Sequence, residues 1–149
     1  MKSKLFIQLF AFSLLIFLSQ SCKKYENGPA ISFISAEKRI VGKYELETYK
    51  INGIEIKLSE IGLDNFEKEY FEDGKGKNYS RQFNNLIETE FEWELNKDKT
   101  QIREREKGLN GEWGQWNSFY TITKLTKTEF WTLNENSAEQ HEFHYLKIK

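Results

Sequence analysis

Phe91-Glu92-Trp93-Glu94-Leu95, then Asn96-Lys97-Asp98-Lys99, then Gln101-Ile102-Arg103-Glu104-Arg105, decides the fold class of this chain. Apolar and acidic residues alternate with a period of two through the first stretch, the mark of a strand with one face in a core and the other in water. The next four residues are turn formers, and the third stretch alternates again. Closing the turn over Lys97-Asp98 predicts Trp93 opposite Ile102, Glu92 opposite Arg103 and Glu90 opposite Arg105, so that an apolar pair meets on one face and two ion pairs on the other. A slip by one residue would break both sets of partners.

The same pattern recurs along the chain. Asn52-Gly53 is a strong two-residue hairpin signal that pairs Ile51 with Ile54, Tyr49 with Ile56 and Lys50 with Glu55. Upstream, Ile40, Tyr44 and Leu46 stand on the opposite parity from Tyr49 and Ile51, which predicts a bulge near Glu47. A third hairpin is predicted at Asp73-Gly74-Lys75-Gly76. A turn on Gly74-Lys75 sets Tyr70 against Tyr79, Lys68 against Arg81 and Phe66 against Phe83, with a short helical turn within 59–65 before it. A fourth hairpin joins 118–125 to 129–133 through Thr126-Lys127-Thr128, and aromatics on both faces leave its register open. Residues 139–148 form the closing strand. From Arg39 onward there is no proline and one alanine, and β-branched and aromatic residues dominate the apolar set, which favours strands. About nine strands joined by short turns protect their edges by closing into a barrel or folding into a sandwich. Strictly sequential hairpins favour an all-β, antiparallel up-and-down barrel of about eight to ten strands over residues 37–149.

Ahead of the domain stands an export leader. Lys2 and Lys4 precede a 14-residue apolar run, Leu5 to Leu18. A membrane span needs about 20 apolar residues, so the run fits a secretory signal. Leu18-Ser19-Gln20-Ser21-Cys22 is similar to a lipobox, in which the cysteine is acylated and becomes the new N-terminus. The alternatives are an ordinary cleaved signal and an uncleaved anchor. Two or more acyl chains hold a protein stably on a membrane. Residues 1–21 are therefore read as a signal peptide and 22–36, with Gly28-Pro29, as a lipid-anchored tether. The expected location is the cell envelope, on the outer membrane, with the face left open.

Cys22-Lys23-Lys24-Tyr25-Glu26-Asn27-Gly28-Pro29, then Arg39-Ile40-Val41-Gly42-Lys43-Tyr44 leading to Asn52-Gly53, resembles the lipocalin-like lipoproteins of Bacteroidetes-type bacteria. Ile122-Thr123-Lys124-Leu125-Thr126-Lys127-Thr128-Glu129-Phe130 is similar to their penultimate hairpin. The resemblance implies a small lipocalin-like barrel on a lipid anchor. Where such proteins often carry Gly-x-Trp in the first strand, this chain has Gly42-Lys43-Tyr44, so Tyr44 is implied at the barrel floor.

Several function classes are excluded or disfavoured. Loss of the leader moves the formal charge from −1 to −3, against a nucleic-acid partner, which needs a basic face. One cysteine, ahead of the domain, excludes a disulfide scaffold and a Cys-based zinc site. His141 and His144, three apart in a strand, point to opposite faces, so no metal site and no cofactor are expected. Glu90, Glu92 and Glu94 are better explained as a solvated face by Arg103 and Arg105 across the hairpin than as a calcium ladder. No nucleophile motif or phosphate-cradling loop is present, and no enzymatic activity is expected.

Two features suggest a binding site. Lys68 and Arg81 share a face with Tyr70 and Tyr79, and Glu104 shares one with Trp93. Two cations side by side in a lumen need an anion, supplied either by Glu104 or by the head group of an amphipathic ligand. Trp113 and Trp116, in Glu112-Trp113-Gly114-Gln115-Trp116, are expected to stack over a ligand at the mouth or to tuck under a strand as core. The expected function is a non-enzymatic lipoprotein binding a small apolar or amphipathic molecule. The alternative is an envelope interaction module with a filled barrel and a protein or glycan partner.

Overall fold

The computed structural model describes residues 24–27, 32–82, 85–135 and 138–149. A short helix α1 (Ala36–Ile40) precedes nine strands. These are β1 (Gly42–Ile51), β2 (Ile54–Ile56), β3 (Glu67–Tyr70), β4 (Lys75–Gln82), β5 (Asn85–Leu95), β6 (Gln101–Glu106), β7 (Tyr120–Leu125), β8 (Glu129–Asn134) and β9 (His141–Lys147). Each pairs antiparallel with its neighbour, and β9 returns to pair with β1, so that eight strands close a barrel. The ninth, β2, is a short arm hydrogen-bonded only to the tip of β1. Closure removes the exposed edges that an open meander would carry.

The predicted Asn52-Gly53 hairpin forms in the expected register. Both residues have positive φ, 51° and 79°, as a type I′ turn requires. The bulge at Glu47 is present: Leu46 pairs with Tyr145 and Thr48 with His144. The extra residue brings Tyr49 to the same side as Leu46, where it stacks on Phe143 at 4.9 Å. A 3-10 turn over Leu58–Ile61 occupies part of the predicted helical stretch. A second bulge between Ile122 and Lys124 settles the register left open there. It lets Ile122 and Leu125 both reach the core.

Two registers differ from expectation. The β5–β6 hairpin pairs Leu95 with Ile102, Glu94 with Arg103, Trp93 with Glu104 and Glu92 with Arg105. The shift is two residues, so both faces survive. Asn96 causes it: its side-chain Oδ1 accepts from Thr100 N (2.8 Å) and Gln101 N (3.0 Å), holding a longer loop than the sequence predicts. The β3–β4 hairpin is displaced by an odd number, with Tyr70 opposite Gly76, Lys68 opposite Asn78 and Glu67 opposite Tyr79. Here the loop is Glu72-Asp73-Gly74, with Phe71 N bonded to Lys75 O and Gly74 at φ 80°. A three-residue loop in place of a two-residue one turns β4 over. The expected pairings of Tyr70 with Tyr79 and Lys68 with Arg81 are thereby overturned, and Phe83, the expected partner of Phe66, lies outside the described residues.

The lower half of the barrel is filled with rings. Tyr70 is the hub, edge-on to Tyr44 (6.0 Å), Phe91 (5.2 Å), Trp93 (5.7 Å) and Phe130 (5.7 Å). A Cβ on Gly76 would run into the Phe91 ring, so glycine is what lets that buried ring lie against β4. Tyr44 sits at the floor, fully buried, its hydroxyl donating to Arg39 O at 2.6 Å. Helix α1 closes this end, burying Ala36, Arg39 and Ile40. This helix departs from the all-strand domain that the sequence predicts. Its signal is Ser35, whose Oγ caps Lys38 N, followed by Glu37 in the first turn.

Candidate functional site: a cup at the barrel mouth

The barrel has two unlike ends. At the closed end lie α1, the turns at 71–75, 96–100 and 126–128, and the C-terminus. At the mouth lie the 52–53 turn, the 57–66 segment and the 107–119 connection. Above the aromatic floor the barrel holds a cavity of about 180 Å³. Leu46, Phe66, Tyr120 and Phe143 supply its apolar wall, and Lys68, Glu104 and Glu106 its charges.

Lys68 and Glu104 meet across the lumen. Lys68 comes from β3 and Glu104 from β6, with Nζ to Oε2 at 2.6 Å. The other carboxylate oxygen, Oε1, accepts from Tyr70 at 2.7 Å. Both charged side chains are largely sheltered, Lys68 at 10% and Glu104 at 17% exposure. Burial works against the Lys68 charge, but the Glu104 carboxylate beside it, together with Tyr145 and Glu106, outweighs that penalty and raises the pKa. Burial, reinforced by Glu104, also lifts Tyr70 well above the usual phenol range. Burial takes Tyr145 up to about 12. All three groups therefore hold their neutral-pH protonation states.

Glu106 follows on the same face of β6. It accepts from Asn78 Nδ2 at 3.2 Å and pairs with no cation among the described residues. The cup thus carries one ammonium and two carboxylates.

The expected site residues are only partly gathered. Lys68, Tyr70 and Glu104 come together in the lumen. Arg81 does not: it pairs with Leu86 on the protruding tip of the β4–β5 hairpin and is exposed. The flipped β4 carries Tyr79 outward too, where its hydroxyl donates to Glu69 at 2.8 Å and Lys43 Nζ lies 4.3 Å from its ring centre. The expected cation pair is therefore absent, and Lys68 is matched by Glu104. Trp93 faces inward but belongs to the closed-end core, with Nε1 donating to Lys75 O at 3.0 Å. Trp113 and Trp116 neither cap the mouth nor enter the core. They lie against the outside of β6, where the Arg105 guanidinium sits 4.9 Å from the Trp116 ring and 5.6 Å from Trp113. Arg105 also reaches Glu92 (2.7 Å) and Arg103 reaches Glu94 (2.6 Å), so the indoles cover a line of ion pairs.

His141 and His144 point to opposite faces. His141 Nδ1 meets the Tyr49 hydroxyl at 2.6 Å, and His144 stacks on Trp131 at 3.9 Å on the outside. Cys22 lies outside the described residues. Glu106, the second carboxylate of the cup, is missing from the predicted set. Its signal was the alternation Ile102, Glu104, Glu106, which places all three on one face. The chain matches no protein-family model, and no curated protein matches it in sequence.

Proposed function

We propose that this chain is a lipid-anchored, non-enzymatic envelope lipoprotein of the lipocalin-like kind, acylated on Cys22, whose barrel takes a small ligand in the mouth cup. The observation that carries the ligand is the unfilled upper lumen around a sheltered ion pair. A barrel built only as a scaffold gains nothing there, since well-packed apolar residues in place of a buried ion pair are commonly neutral or stabilising. The aromatic floor shows that this chain fills space where filling suffices. The anchor rests on the Lys2/Lys4 leader and the Leu18–Cys22 box.

The cup sets the ligand's size and charge. At about 180 Å³ it lies below the roughly 300–1,000 Å³ of ordinary ligand pockets and near the roughly 150 Å³ that admits a benzene ring. A long acyl chain does not fit. With Glu104 spent on Lys68, Glu106 leaves the cup net negative. The fitting ligand is a small molecule with an apolar or aromatic body and a cationic or hydrogen-bond-donating end. This reverses the anionic head group expected from a Lys68–Arg81 pair. Saturation-transfer NMR with 2-phenylethylamine, 3-phenylpropanoate and palmitate tests the proposal. Signal from the amine, weakened in Glu106→Gln, is expected; a preference for either carboxylate would overturn it.

The interaction-module reading has its own observation. Leu86 and Ile87 ride on a part of the β4–β5 ribbon that extends past both neighbouring strands, and they are 58% and 36% exposed. Leu109, in the mouth connection, is fully exposed. A ribbon whose outer edges are left unpaired by both neighbouring strands offers a protein partner a strand to pair with. If none of the three probes binds, this reading takes precedence.

A further inference from the structure

The N-terminal segment does not leave the barrel as a free tether. Tyr25 is 2% exposed. Its hydroxyl donates to Lys99 O (2.9 Å) in the β5–β6 turn. The Arg39 guanidinium stacks 5.3 Å from its ring centre and donates from Nη1 to Leu125 O at 2.6 Å. Asn27 N donates to Thr123 O at 2.8 Å. Lys99 in turn holds Glu37 of α1 at 2.6 Å. These contacts join residues 25–27 to α1, to the β5–β6 turn and to β7, all at the closed end. Truncating Tyr25 would uncover Arg39, a 6%-exposed charge whose Nε already lacks a hydrogen-bond partner. The segment is therefore part of the floor.

From this seat we infer that the barrel stands on the membrane by its closed end, with the cup facing away from the lipid. The inference rests on the proposed acylation of Cys22. Tyr25 is only three steps along the chain from Cys22, and a fully extended chain spans at most about 3.6 Å per residue, roughly 11 Å here. The floor is thus held within one short reach of the lipid surface. β1 has 10 residues; at about 3.3 Å each and a strand tilt near 40°, the mouth stands roughly 25 Å higher. The partner of the closed end is the lipid surface itself. A groove of about 850 Å³ opens on this end between α1 and the 72–74 and 96–99 turns, floored by Val41, Trp93 and Leu95. Lys38, Lys97 and Lys99 stand at its rim beside Glu37, Asp73 and Glu94. Mixed rim charges select no particular head group, so anchor geometry alone sets the orientation. A ligand for the cup then arrives from the aqueous side, not from the bilayer beneath.

The test uses the full acylated lipoprotein in phosphatidylcholine vesicles carrying a quencher on a fraction of the head groups. With Cys22 acylated, one introduced cysteine is the only thiol to label. Lys97→Cys places the dye at the closed end and Ile54→Cys at the mouth. Quenching of the Lys97 position several-fold above that of Ile54 is expected. Insertion of twelve Gly/Ser residues after Lys23, with a root-mean-square reach of about 20 Å, should bring the two close to equality without touching the Tyr25 seat. Equal or reversed quenching in the uninserted protein, while it floats with the vesicles, would overturn the orientation and leave the anchor standing. Failure to float, or flotation unchanged in Cys22→Ser, would overturn both.

Discussion

Replacing Glu104 by Gln keeps the shape of the side chain and an acceptor for Tyr70, but it turns a donor toward the Lys68 ammonium. Lys68 is then a charge with 10% side-chain exposure and no counter-charge at 2.6 Å. Breaking a buried pair in this way costs about 3–5 kcal/mol. The cup lets some water reach Lys68, which places the expected loss at the lower end, about 3 kcal/mol. Adding Lys68→Met removes the stranded charge, and the double variant should regain most of the loss. The pH dependence has a definite sign. In the wild type Glu104 raises the Lys68 pKa, so its contribution is complete below the unfolded value of about 10.4 and fades as pH rises through the folded value. In the variant burial is the largest cause left and lowers that pKa, with Tyr145 and Glu106 opposing it, so the penalty shrinks as pH approaches 10. Urea unfolding followed by tryptophan fluorescence at pH 7 and pH 10 measures both effects. A loss below about 1 kcal/mol at pH 7, or a double variant as unstable as Glu104→Gln alone, would refute the reasoning: water, not Glu104, would then be solvating Lys68.

Further outcomes follow from the same geometry. Trp93→Ala should cost about 3–5 kcal/mol as a truncated core aromatic, whereas Glu92→Ala, on the outer face with Arg105, should cost under about 1 kcal/mol; denaturant melts giving the opposite order would invert the assigned faces. Gly76→Ala should cost about 1–3 kcal/mol through overpacking against Phe91, read in the same melts. Metabolic labelling with an alkyne fatty acid should tag the wild type and not Cys22→Ser; equal labelling would remove the anchor.

The barrel was largely legible because period-two alternation and turn chemistry agree with each other along most of the chain. Ile40, Tyr44 and Leu46 against Tyr49 and Ile51 marked the Glu47 bulge from parity alone. The faces of β5 and β6 were legible too, although Asn96 lengthened their loop by binding two backbone amides, a side-chain effect that turn propensity does not carry. The site was less legible for one physical reason. Asp73-Gly74-Lys75-Gly76 accommodates a two-residue or a three-residue loop, and the choice decides which face of β4 enters the barrel. The shorter loop would place Arg81 and Tyr79 inside and give the cup a pair of cations; the longer one, which forms, turns both outward. The seat of Tyr25 was hidden as well, since a single tyrosine in a polar, Gly-Pro-containing stretch has no periodicity to reveal it.

Native mass spectrometry of the lipoprotein purified from its own membranes tests the cup most directly. A small adduct of about six to ten non-hydrogen atoms, in keeping with a cavity slightly larger than one that holds benzene, is expected on the wild type and should be lost or reduced in Glu106→Gln. A bare polypeptide carrying only its acyl chains, or an adduct with the mass of a long-chain fatty acid, would contradict it.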